Sequence, residues 1–289
     1  MLGIIFTFIA LFCWAFGDFF IQKTSRILGI WKALFFICFI GTVMLSPFAY
    51  KDIPLLFSSP FALQLLMLTF VVTLFAALFE FEGLKEGKLA VIEPILGIEL
   101  PLTVGLSLVL LKEKISLLQS VLIFVIFIGI VLAVTTRFSH LHYHKRILEK
   151  GVIIALVGTI AMALTNFLTG VSSLETAPLF TIWFMHLLIT ISCALYLLLK
   201  GKLSELAKDF KRHAKPILQV SILDNIVWSA YALAMTLIPI SIATAISESY
   251  IALTVLLGVY VNKEKVKSHQ MLGVCLAVLG VIALAVVTG

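Results

Sequence analysis

Charge is what this sequence has least of. Of its 289 residues 12% are Asp, Glu, Lys or Arg, while 62% are hydrophobic and the mean hydropathy is +1.17. A water-soluble domain carries about 25% charged residues, so this chain cannot cover a soluble fold, and a soluble enzyme is excluded. Cysteine is scarce too. Cys13, Cys38, Cys193 and Cys275 lie in apolar stretches without CxxC or Cys/His spacing, which reads as buried thiols rather than disulfides or metal ligands. A GxxxxGK[ST] phosphate loop is missing, and residues 83–88 only echo one; a nucleotide-driven motor is therefore excluded. The N-terminus lacks a basic n-region and a small-residue cleavage site, so residues 2–22 read as a retained first span rather than a signal peptide. His140, His142 and His144 alternate in one loop, with no second His or acidic cluster to complete a ligand set. They read as a solvated basic loop face. No metal and no cofactor is expected, which disfavours an integral-membrane metal enzyme.

What is present is a series of apolar runs. A spanning helix needs about 20 mostly apolar residues. Ten such segments can be laid out, at 2–22, 30–49, 61–82, 88–111, 115–136, 150–172, 177–199, 216–237, 239–261 and 266–288. Barrel strands are only about 10 residues long, and a helix satisfies its own backbone hydrogen bonds in lipid. The longest connections, 137–149 and 200–215, are rich in Lys, Arg and His. Eighteen of the 21 Lys and Arg lie in or beside odd-numbered loops, and only Lys51, Lys112 and Lys114 in even ones. The positive-inside rule then puts the odd loops in the cytoplasm and both termini outside. The net charge of +6 and the pI of about 9.1 have the same origin, and no nucleic-acid partner is implied. Lys32, at the start of its span, is expected to snorkel. Glu80 and Glu82, beside Lys85, are expected to reach the interface.

The chain also repeats itself. Shifted by 151, residues 88–138 lie without a gap over 239–289: Lys112-Glu113-Lys114 falls on Lys263-Glu264-Lys265, Gln119 on Gln270 and Gly129 on Gly280. A shift of 148 places Asp18 on Asn166 and Phe19 on Phe167. Each repeat holds five spans, an odd number, so the second copy enters the membrane from the opposite side. The expected fold is an all-α integral membrane protein of ten transmembrane helices in two inverted-topology five-helix repeats, 1–138 and 150–289, joined by a basic loop at 139–149. In such repeats the site lies near the midplane between the halves.

Polar residues inside the spans mark that site, because a charge at the bilayer centre costs about 2.5–3.5 kcal/mol on insertion scales. Glu99 lies near the middle of the fourth span and Glu248 near the middle of the ninth, beside Tyr250, the repeat mate of Glu99. Asp224 and Asn225 lie near the middle of the eighth. Glu93 stands about 9 Å from Glu99 along the axis, at about 1.5 Å per residue. Helical spacing gathers Trp14, Asp18 and Gln22 on one face, as it does Ser221, Asp224, Trp228 and Tyr231, and Ser241, Thr244 and Glu248. Such stripes suit a water-accessible cavity, in which rings attract cations and carboxyls carry charge or protons. Singly, Asn225, Ser221 and Thr244 serve equally as interhelical hydrogen-bonding glue, worth about 0.6 kcal/mol each. His186 reads as a helix–helix contact. Pro94, Gly97 and Pro101 interrupt the fourth helix, which frees backbone carbonyls or leaves a kink that neighbours repack.

The whole pattern resembles the EamA-like proteins of the drug/metabolite transporter superfamily. The Leu-Gly-Glu-Arg-like turn before the last helix of each family half corresponds to Leu111-Lys112-Glu113-Lys114 and Asn262-Lys263-Glu264-Lys265. The fourth-helix Pro of the family corresponds to Pro94 or Pro101, and Trp14 fits the first helix. The resemblance spans essentially the whole chain. It implies a secondary transporter, from a family that exports or exchanges amino acids, sugars, nucleotide precursors and cationic drugs. The expected function is transport of a small polar or amphipathic metabolite, an amino acid or cationic compound, by alternating access in the cell membrane, proton-coupled or by exchange. A channel or lipid translocase on the same scaffold is the alternative. The expected substrate-binding residues are Trp14, Asp18, Glu99, Asn166, Asp224, Asn225, Trp228, Tyr231, Glu248 and Tyr250. Glu99, Glu248 and Glu93 are the proton-coupling candidates. The expected partners are the substrate and the bilayer, and one chain carrying both repeats needs no second copy to form the site.

Overall fold

The computed structural model describes residues 1–86, 95–135, 145–262 and 267–289. Glu93, Pro94, His140, His142, His144 and the Lys263-Glu264-Lys265 turn lie outside the described residues. All regular structure within them is helical. Spans 1 to 3 are Leu2–Leu28, Ile30–Ala49 and Pro60–Glu86; Glu99–Leu110 belongs to span 4, and span 5 is Leu117–Val134. Spans 6 to 8 are Lys145–Glu175, Pro178–Leu199 and Glu205–Leu237. Span 9 comes in two pieces, Ile240–Ser247 and Tyr250–Asn262, and span 10 is Ser268–Thr288. Among the described residues nine stretches, with span 9 counted whole as Ile240–Leu257, are long and apolar enough to cross a membrane, and Glu99–Leu110 is a shorter apolar helix.

Local chemistry sets the ends. Gly29 alone links spans 1 and 2 with φ +81°, a left-handed conformation that side chains resist. Ser116 caps span 5: its hydroxyl accepts from the Gln119 backbone N–H, and the Gln119 side-chain Oε1 accepts from the Ser116 N–H. In span 10 the repeat mate Gln270 accepts from the Lys267 N–H in the same way. Both glutamines then reach across. Gln119 Nε2 donates to Thr288 Oγ1, and Gln270 Nε2 donates to the Ala133 carbonyl, each at 3.2 Å. The repeated Gln is therefore a cap and a cross-repeat tie at once.

The packing is unchanged when the halves are exchanged. Its most extensive contacts pair span 3 with 6, 8 with 1, 5 with 10 and 2 with 7; exchange converts the first pair into the second and leaves the other two as they were. Spans 5 and 10 approach closely at small residues. A Cβ on Gly129 would stand 2.5 Å from the Ala277 amide nitrogen, and one on Gly280, its repeat mate, 2.9 Å from Ile126 Cγ1. Ile126 and Ala277 are repeat mates as well. The exterior is apolar, with Ile5, Phe12, Phe16 and Phe19 of span 1 exposed, whereas Asp18, Glu99, Asn166, Asp224 and Glu248 are buried between the helices.

Residues 200–215, expected as a loop, are helical from Glu205 onward, with a break at His213 just before Pro216. The segment is amphipathic. Leu206 packs with Phe36, Leu197 and Ile217, and Glu205 and Asp209 turn onto Lys32 Nζ at 2.5 and 2.6 Å. Lys32 thus does not snorkel freely; it pins this segment to span 2.

Candidate functional site

The fourth helix of each repeat is interrupted at the same register. Span 9 turns at Glu248–Ser249, and Gly97–Ile98, 151 residues earlier, are likewise a turn before Glu99–Leu110. Hydrogen bonding tightens there to three-residue spacing: Ile98 N–H to the Ile95 carbonyl at 3.0 Å, Ala252 N–H to the Ser249 carbonyl at 3.0 Å. Gly97 and its neighbouring prolines announce the first break. The second has no Pro or Gly, and the sequence gives no sign of it. Glu99 and Tyr250 each begin the helix beyond the break, and Glu248 lies in the turn itself.

Around these breaks the buried polar groups pair. Asn166 Nδ2 donates to Glu99 Oε2 at 3.4 Å and to Glu248 Oε1 at 3.3 Å, so one amide of span 6 bridges a carboxyl from each repeat. Tyr250 Oη donates to Asp18 Oδ2 at 2.8 Å. Together with Asp224, Glu80 and His186 these groups line one cavity of about 50 Å³, large enough for a few water molecules at about 10–15 Å³ each. Cys38, Thr73, Met162, Met185 and Trp228 complete much of its wall. Its described lining includes five carboxyls and no Lys or Arg.

An aromatic layer lies on the side of the cavity toward the face that carries the chain termini. Trp14 meets Tyr231 at 5.2 Å and Trp228 at 5.8 Å, both edge-on, and lies 5.8 Å from the Tyr250 ring. Tyr231 Oη shares a 2.6 Å hydrogen bond with Thr244 Oγ1, binding the layer to span 9.

Of the ten expected binding residues, Trp14, Asp18, Glu99, Asn166, Asp224, Trp228, Glu248 and Tyr250 line the cavity. Tyr231 is fully buried behind it in the aromatic layer. Asn225 is turned away: its Nδ2 donates to the carbonyls of Ile37 at 3.1 Å and Ser221 at 2.8 Å, tying span 8 to span 2. Gln22 likewise ties span 1 to the Leu84 carbonyl at 2.8 Å. Glu80 and His186 are two cavity residues to which sequence reasoning gave another place. Glu80 lines the cavity rather than reaching the interface, while Lys85 pairs with Glu82 and Glu86. His186 also lines it rather than serving only as a helix contact. The cavity-facing stripe of span 7 is otherwise apolar, and on span 3 only Thr73 accompanies Glu80, so polar periodicity marked them weakly.

A helical membrane protein with two repeats, matched breaks in its fourth and ninth spans and buried acids at those breaks has the build of a membrane transporter. The EamA-like transporter family matches residues 1–135 and again 149–286, and the chain belongs to that family. A solved crystal structure of a protein shares the fold, with a TM-score of 0.73 over 99% of this chain and 96% of that one at 15% identity. No curated protein matches the sequence.

Proposed function

We propose that this protein is a secondary active carrier for a small cationic or zwitterionic metabolite, coupled to protons or to exchange. The carrying observation is the Asn166 bridge between Glu99 and Glu248, one acid on each broken helix, in a cavity whose described lining has no cation. Such a wall attracts positive charge and disfavours an anion. Trp14, Trp228 and Tyr250 add aromatic faces for an alkyl or ammonium group. Asp18, Glu99, Asn166, Asp224 and Glu248 lie buried between the helices, so loading requires the halves, divided as 1–138 and 150–289, to part. Alternating access supplies that motion. The odd, basic loops face the cytoplasm of the cell membrane, and a single chain suffices.

The test is uptake and counterflow in proteoliposomes with and without a pH gradient. The parent is expected to concentrate substrate, while Glu99→Gln and Glu248→Gln lose gradient-driven accumulation. Parental rates and pH dependence in both variants would overturn the coupling. Flux without counterflow would favour a channel, and headgroup-selective scrambling a lipid translocase.

A further inference from the structure

We propose that Glu113 is a positioning residue that latches the ninth span and governs access to the cavity from the face carrying the chain termini. The latch rests on the alternating-access reading above, and its geometry is local. Span 4 ends at Leu110, and Lys112 takes φ +53°, which turns the chain sharply. The Glu113 carboxylate is thereby carried to the start of span 9 in the other repeat. Its Oε1 accepts from the Ile240 N–H at 2.6 Å and its Oε2 from the Ser241 N–H at 3.0 Å. A carboxylate suits that place, since the first N–H groups of a helix lack partners within the helix and carry partial positive charge.

The held piece, Ile240–Ser247, leads directly into the Glu248 turn. The same piece carries Thr244, to which Tyr231 of the aromatic layer is bonded. Glu113 therefore grips, from one repeat, the half-helix of the other repeat that is bonded to the aromatic layer through Thr244 and leads into a cavity acid. Opening toward the terminal face must separate these elements, and both hydrogen bonds have to yield. Opening on the basic face leaves the Glu113 grip in place, so loss of Glu113 shifts the balance in one direction only.

Native Cys38 lines the cavity and serves as the probe. In full-length protein with Cys13, Cys193 and Cys275 changed to Ala, modification of Cys38 by a membrane-impermeant cationic thiosulfonate is timed in vesicles of both orientations. Glu113→Ala is expected to raise the rate from the terminal face at least about tenfold, the lower worth of one charge-assisted hydrogen bond, and to lower it from the basic face. Glu113→Gln, which keeps one acceptor, is expected between the two and carries the test should the alanine variant fail to accumulate. An unchanged terminal-face rate, or rates rising equally at both faces as in a merely loosened protein, overturns the latch. Parent Cys38 reached from one face only would count against alternating access, whereas the latch is judged by the ratio of variant to parent.

Discussion

Tyr250 donates a 2.8 Å hydrogen bond to Asp18, and this contact between spans 9 and 1 is the repeat counterpart of the Asn166–Glu99 contact between spans 6 and 4. The repeat places Tyr250 over Glu99 and Asn166 over Asp18, so donor and acceptor have changed helices. The two-fold scaffold is kept while its chemistry is made unequal. On one side a phenol holds one carboxyl; on the other a single amide serves two. The coupling proposed above would draw on such inequality, because a substrate and an ion must then be told apart within one cavity.

Tyr250→Phe tests the first contact. It removes the hydrogen bond and keeps the ring against Trp14, for an effect of about 0.5–1.5 kcal/mol. The apparent KM for transport in proteoliposomes is expected to rise about three- to tenfold, by that energy, with little change in protein yield. Kinetics within twofold of the parent would remove Tyr250 from the working site.

Asn166→Leu deprives Glu99 and Glu248 of their shared donor. Leaving buried polar groups without a partner costs about 1–3 kcal/mol, so the melting temperature in detergent is expected to fall and transport to drop at least about tenfold. Full transport with Leu at 166 would show that the bridge has no functional weight.

Lys112 occupies the position where the family turn carries Gly, with φ +53°. A side chain in the left-handed region costs about 1–2 kcal/mol. Lys112→Gly is therefore expected to raise the melting temperature, while Lys112→Ala, which keeps a Cβ, does not. Equal melting temperatures for the Gly and Ala variants would refute strain at this turn.

Two glycines are predicted to behave oppositely. A Cβ on Gly129 meets the span 10 backbone at 2.5–3.0 Å, whereas one on Gly105 meets nothing within 4 Å. Gly129→Ala should destabilise by about 1–3 kcal/mol, and Gly105→Ala should be neutral or stabilise by about 0.5–1 kcal/mol. Thermal denaturation of the two variants in one detergent decides the matter, and a reversed order would refute the close crossing of spans 5 and 10.

Much of this was legible in the sequence. Long apolar runs gave the spans, and the ungapped match of Lys-Glu-Lys, Gln and Gly gave the repeat, whose Gln turns out to cap one helix and hold the other. Glu99, Glu248, Asp18 and Asn166 could be singled out because polar groups in mid-membrane are costly. The break in span 9 could not, since Pro and Gly are the usual signals and Glu248–Ser249 carries neither. The amphipathic start of span 8 resembled a loop through its many charges, although Leu206 with Phe210 and Glu205 with Asp209 already stood at i, i+4 spacing. Asn225 looked like a cavity residue by the same rule as Asp224; only the position of the Ile37 carbonyl turned it into a tie.

By itself the sequence determined that this protein lives in a bilayer, as helices, in two related halves. Composition and periodicity act over a few turns of chain, where solvent and backbone hydrogen bonding leave little choice. The tertiary structure alone decided which acids meet. Asp18 and Tyr250 are 232 residues apart, and Asn166 lies 67 and 82 residues from its two carboxyls. Their approach is set by the angles and depths at which spans 1, 4, 6 and 9 pack, which depend on small residues, caps and ties spread over the whole molecule.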